Sequence, residues 1–328
     1  MGSRYDISRF TIPLTITALA LLASLFFLPC TASDALRYSF ASHYFRIGFI
    51  LENPGLSKIA SILLLSASPF MFYAMDRSHP LGVTTILPLM YSLLVLSCKD
   101  ALCLSPIHIA AFFLSGSLFF SFRASLEPYN IDNPFVSMLM LSMASLFFAP
   151  IIWLAPVMAV LDNNNSTQKW KTIVGSVCGL LLPMIMITGI STIATGYTVI
   201  TEPVMQYLAM VIDIEPGIPQ MQVATVMKVL IIIVSAVWAS VSFIKIFNTL
   251  DIAAERCHIR CIVFGVWLSA ITVMFGNSLG SLPWILALMP LSMFLFAFFT
   301  RQAQQRNGTF LLAILLLLAL AERIVIML

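Results

Sequence analysis

Charge is what this chain has least of. Asp, Glu, Lys and Arg make up 9% of its 328 residues, where a soluble domain carries about 25%. That scarcity excludes a soluble domain of useful size. Strand-like alternation is missing as well: the apolar stretches are solid, which excludes a transmembrane β-barrel. No HExxH, GxSxG, phosphate-loop or dinucleotide-binding pattern occurs. The six cysteines do not stand at zinc-ligand spacing, and Cys257, His258 and Cys261 lack further ligands nearby. Neither a metal nor another cofactor is expected, and no nucleic-acid partner.

What remains is apolar, at 60% hydrophobic residues. Blocks of membrane-spanning length recur with short polar joints between them. The expected fold is an all-α, polytopic transmembrane bundle, one integral membrane domain over 1–328 with membrane lipid as its surroundings. Thr11–Cys30 follows Arg4 and Arg9 and imitates a signal peptide, but its apolar length exceeds the roughly 7–15 residues of a signal core. It reads as a retained first span. The later blocks are Ser57–Met75, Pro80–Cys98, Leu104–Phe122, Asn133–Leu161, Thr172–Thr195, Met221–Ile244, Cys261–Phe275, Leu282–Thr300 and Thr309–Leu328.

Basic joints orient these blocks, because Lys and Arg accumulate on the cytoplasmic side. Arg4 and Arg9 put the N-terminus inside, and Arg77 and Arg123 do the same for 76–79 and 123–132. Counting back from the tail, Arg301 and Arg306, then Lys245, Arg256 and Arg260, then Lys169 and Lys171 mark inner joints. The two counts meet across Asn133–Leu161 and require both of its ends inside. One helix over that run would be about 44 Å long, against a hydrocarbon core of about 30 Å. Two ordinary spans would need roughly 40 residues. A short hairpin hinged near Ala149-Pro150 satisfies length and charge together. The expectation is about eleven membrane segments in a bacterial inner membrane, N-terminus cytoplasmic and C-terminus periplasmic.

Two outer joints are long. In 31–56, Leu36, Phe40, Tyr44 and Ile47 recur at helical spacing, with Asp34, Arg37 and His43 off the stripe. That pattern predicts an amphipathic helix lying in the interface, with Ser33 as its N-cap. In 196–220, a Thr201 cap, an apolar body through Val211, then Asp213, Glu215 and Pro216-Gly217-Ile218-Pro219 predict a second such helix. Both joints also read simply as connectors shielding the bundle.

A first span, an outer joint with Asp34 just beyond it, and a later short-helix pair resemble membrane glycosyltransferases of the GT-C type. The central stretch, Met140–Leu161 with the joint Asp162–Lys171 and Gly175–Pro183, carries the similarity. The Ser145–Pro150 hinge also resembles a family of multi-pass inner-membrane proteins from Bacteroidota for which no activity is known. The GT-C resemblance implies a sugar donor on polyprenyl phosphate and makes Asp34 the catalytic base. Its usual acidic pair is missing, since Ala35 follows Asp34. Arg37, Arg46, Lys228 and Arg323 fall on the outer side by topology and are candidate phosphate partners.

Lys228 lies within a span, where it either snorkels to the surface or pairs with an anion. Glu322 and Arg323 mark the end of the last span. His108 reads as a hydrogen-bonded packing residue, Gly175-x-x-x-Gly179 as a close helix contact, and a Cys98–Cys103 bridge is open to the outer thiols. Three classes of function stand: an enzyme on lipid-linked envelope substrates, a non-catalytic partner in an envelope or secretion machine, and a transporter.

Overall fold

The structure, a computed structural model, describes residues 37–41, 53–78, 91, 95, 103–195, 201–214, 252–275 and 282–299, with scattered positions from 230 to 244. The first and last apolar blocks, most of Pro80–Cys98 and most of Met221–Ile244 lie outside the described residues. All regular structure among the described residues is helical. The elements are α1 (Pro54–Ser78), α2 (Pro106–Leu126), α3 (Asp132–Phe147), a 3-10 turn (Ala149–Leu154), α4 (Ala155–Asn165), α5 (Lys169–Thr195), α6 (Thr201–Ile212), α7 (Ile252–Met274) and α8 (Trp284–Phe299). Among the described residues, three stretches are long and apolar enough to cross a membrane: Pro106–Leu126, Lys169–Gly189 and Glu255–Met274.

Helix α2 starts after Ser105, whose hydroxyl and backbone N–H both meet His108 Nδ1, at 2.9 and 3.1 Å. His108 is thus a buried capping residue, supplying the side-chain acceptor that an N-terminal turn needs. Pro106 occupies a first-turn position, where its missing N–H costs nothing.

Within Asn133–Leu161 the chain reverses. Ser117 and Ser137 exchange hydroxyl-to-carbonyl hydrogen bonds at 2.8 and 2.9 Å, and Phe113 stacks on Phe147, so α3 runs antiparallel to α2. After the turn, Ser117 meets Met158 and Ser121 meets Asp162, so α4 runs parallel to α2. Both ends of the run therefore return to one end of the bundle, the end of Ser121, Glu127 and Asp162. At 16 and 11 residues, α3 and α4 are about 24 and 17 Å long. Neither matches a hydrocarbon core of about 30 Å. The turn falls at Phe148 and Ala149-Pro150: Phe148 is extended (φ −145°, ψ 92°), which breaks the helical ladder, and Pro150 keeps the next turn tight.

Helix α5 runs parallel to α3 and packs closely on it. A Cβ built on Gly179 would sit 2.3 Å from the Phe135 carbonyl oxygen and 3.1 Å from the Leu139 nitrogen. Only hydrogen fits there, which is the close contact that the Gly175/Gly179 spacing predicts. Gly175 is roomier, with Ile131 and Phe135 side-chain atoms at 3.7 and 3.8 Å. The opposite face of α5, including Val174, Val177, Leu181 and Ile185, is exposed. Trp170 is exposed between Lys169 and Lys171, an arrangement typical of the headgroup level of a bilayer.

Helix α7 begins at Ile252, nine residues earlier than the apolar block Cys261–Phe275. That shift moves Arg260 from a polar joint into the middle of a helix. The main core joins α2, α3, α4, α7 and α8 through Leu114, Leu141, Met158, Phe264 and Ile285, all fully buried.

Candidate functional site

Of the residues that the sequence puts forward for chemistry, Asp34, Arg46, Lys228 and Arg323 lie outside the described residues. Arg37 is described. Its Nη2 donates to Asp213 Oδ2 at 2.8 Å, with both side chains about half exposed, and its guanidinium lies 5.8 Å from the Tyr38 ring centroid. The pair ties the joint 31–56 to the joint 196–220.

The same junction is built by apolar contacts. Tyr38 meets Phe148 and Phe275 edge-on at 6.2 and 5.8 Å, and Phe40 meets Tyr207 at 5.8 Å. Such edge-to-face pairs add to the area they bury. Trp153 of the 3-10 turn donates its indole N–H to the Val211 carbonyl at 3.3 Å, and Trp267 donates to the Trp153 carbonyl at 2.8 Å. Residues 37–41, the turn and α6 thus form one platform at the hinge end. Tyr38, Ser39, Phe40 and Ala41 are all buried. This differs from the expected half-exposed helix lying flat: the aromatic contacts enclose this stretch on both faces. Helix α6 does follow the amphipathic reading, with Tyr207 and Val211 buried and Met205, Leu208 and Ile212 exposed.

The opposite end holds a polar centre that sequence reasoning misplaced. Asp162 and Arg260 were expected in solvated joints, yet each is 1% exposed. Arg260 Nη1 donates to Asp162 Oδ1 at 2.5 Å and to the Ser121 carbonyl at 2.7 Å, and its Nη2 donates to the Leu161 carbonyl at 2.9 Å. Ser121 donates its hydroxyl to Asp162 Oδ1 at 2.9 Å. One ion pair therefore joins α2, α4 and α7. Asp162 Oδ2, Arg260 Nε and, next in the chain, Asn163 Oδ1 are buried without a hydrogen-bond partner. A signal for this centre does exist in the sequence: Ser117, Ser121 and Ser125 share one face of an otherwise apolar helix, and all three are buried. Ser125 lies 3.7 Å from the Cys257 sulfur, one turn from Arg260.

Just beyond α2, Glu127 accepts hydrogen bonds from Arg123 Nε (3.1 Å), Asn130 Nδ2 (3.2 Å) and Asn133 Nδ2 (3.1 Å). Partial burial works to raise its pKa, but these hydrogen bonds and the Arg123 charge outweigh it and hold the carboxyl below its ordinary 4.5. Among the described residues, no three His, Cys, Asp or Glu side chains gather as a metal would require. Cys103, at the hinge end, is disulfide-bonded to a partner outside the described residues, while Cys178, Cys257 and Cys261 are free thiols.

Comparison of the chain with family models, with curated proteins and with solved structures finds no match.

Proposed function

We propose that this is a multi-pass protein of a bacterial inner membrane, with about eleven segments, whose hinge-end platform faces the periplasm and handles a polyprenyl-phosphate-linked envelope substrate on a GT-C-like scaffold. The orientation rests on two asymmetries. Arg123, Lys169, Lys171, Arg256 and Arg260 gather at or near the Asp162 end, as cytoplasmic faces require. The disulfide of Cys103 belongs to the other end, and disulfides persist in oxidising compartments, whereas Cys257 and Cys261 remain thiols beside Arg260.

The observation that carries the substrate reading is the half-exposed Arg37–Asp213 pair on a platform of aromatic and interfacial elements. A pair so exposed contributes only about 0–1 kcal/mol, so Asp213 yields readily to a phosphate, which offers more negative charge and more acceptors to the same guanidinium. Exposed apolar residues of α6 suit contact with a prenyl chain. Asp34, three positions before Arg37, is the base this reading requires.

The test is binding of polyprenyl phosphate and of the matching polyprenol to the full chain in nanodiscs, read by native mass spectrometry. The expected result is retention of the phosphate form alone, weakened about tenfold in Arg37→Ala by loss of a charge-assisted contact. Equal retention of both lipids, or an unchanged Arg37→Ala, removes the substrate reading. Asp34→Asn then separates enzyme from binding protein, since an enzyme loses turnover while phosphate binding persists. A non-catalytic assembly partner remains the second reading, favoured by an ion pair at the Asp162 end that is enclosed among three helices.

A further inference from the structure

The Asp162–Arg260–Ser121 centre takes no part in the platform, and its hydrogen-bond account does not close. Arg260 spends Nη1 and Nη2 on Asp162, Ser121 and Leu161, leaving the donor Nε without an acceptor. Asp162 uses Oδ1 for Arg260 and Ser121, leaving the acceptor Oδ2 without a donor. Both side chains are enclosed, where an unmade hydrogen bond at a charged group is expensive. Their needs are complementary. A cation would satisfy Oδ2 but be repelled by Arg260, and an anion would satisfy Nε but be repelled by Asp162. Protonating Oδ2 supplies no acceptor for Nε. A small neutral molecule that both donates and accepts serves both groups, and water is the smallest.

We propose that the ion pair is a hydrated internal site, holding ordered water between α2, α4 and α7. Water in such a place typically makes about three hydrogen bonds. Asp162 Oδ2 and Arg260 Nε supply two of them, and the neighbouring Asn163 Oδ1, also unsatisfied, is the third candidate. The site lies near the end of the bundle where Ser166, Thr167 and Gln168 turn the chain, so water reaches it from that side. One turn further along α2 and α4, Ser117 contacts Met158 Sδ at 3.5 Å, which places Met158 beside the site.

Radiolytic hydroxyl-radical footprinting of the full chain in nanodiscs tests this, because the radical forms from water in place and oxidises methionine beside it. Met158, at 0% exposed, is the reporter, and Met289, at 3% exposed in α8, is the control of equal intrinsic reactivity. The expected result is oxidation of Met158 about tenfold faster than Met289, as bound water one turn away demands. Equal rates in the native protein overturn the proposal without any variant. The double variant Asp162→Leu, Arg260→Met removes both hosts while preserving bulk, and Met158 should fall to the Met289 rate. Continued fast oxidation there would place the water elsewhere and overturn the assignment equally.

Discussion

The enclosed charges of Asp162 and Arg260 depend on each other more than any other described pair does. Removing either partner strands the other in an apolar bundle, so Asp162→Ala or Arg260→Ala should each cost about 3–5 kcal/mol. The double replacement by Leu and Met should instead lie near the native stability, because two well-packed apolar side chains leave no charge to desolvate. A thiol-reactive dye during thermal unfolding in detergent reads this directly, since Cys257 and Cys261 are buried. A Cys178→Ser background removes the exposed thiol found among the described residues. If the double variant is as unstable as the singles, the packing of these side chains rather than their charge is decisive. Glu127 gives a pH-dependent counterpart. Its folded pKa lies below the ordinary 4.5, so its contribution is fully present above the unfolded pKa and is lost as pH falls through the folded one. The native protein should therefore lose stability relative to Glu127→Gln as pH falls below about 4.5, with the two curves parallel at neutral pH. Neither role is legible from the residue and its immediate neighbours in the sequence. Asp162 and Arg260 each sit where an apolar block meets a polar joint, and a boundary residue reads as solvated unless the neighbouring serine stripe is weighed with it.

Elements were more legible than their charges. The expected blocks Ser57–Met75, Leu104–Phe122, Thr172–Thr195 and Leu282–Thr300 all fall within or over observed helices, because long apolar runs admit no other backbone in lipid. The start of α7 was missed since Ile252–Arg260 mixes charge with apolar residues, and burial of the charge came from tertiary pairing. The Gly175 and Gly179 pair was readable as a contact, but not as an unequal one. At Gly179 the obstruction is the backbone of α3 itself, so Gly179→Ala should force α3 and α5 apart and cost about 1–3 kcal/mol. At Gly175 an added methyl meets ordinary van der Waals distances, and Gly175→Ala should be neutral or stabilising by up to about 1 kcal/mol. Equal effects at the two positions, measured by the same thermal assay, would contradict the close α3–α5 approach.

At the scale of the whole molecule, the two outer joints were predicted separately, and their meeting was not. Nothing in the sequence pairs Arg37 with Asp213 or Phe40 with Tyr207, because both contacts depend on where the hinge places α6. The proposed orientation makes opposite demands on two exposed positions at opposite ends. Gln168→Cys, between α4 and α5, should react with a membrane-impermeant maleimide only after cells are opened. Ile214→Cys, just past α6, should react in intact cells. The reverse pattern inverts the protein and moves the Arg37 platform to the cytoplasm.

The reversal at Phe148–Leu154 also bears on how such a chain enters a bilayer. The lengths of α3 and α4, about 24 and 17 Å even with their polar ends counted, give neither helix the thickness that lets a segment partition sideways into lipid on its own. Their insertion is then a joint event, templated by α2, whose Ser117 and Ser121 offer each a partner.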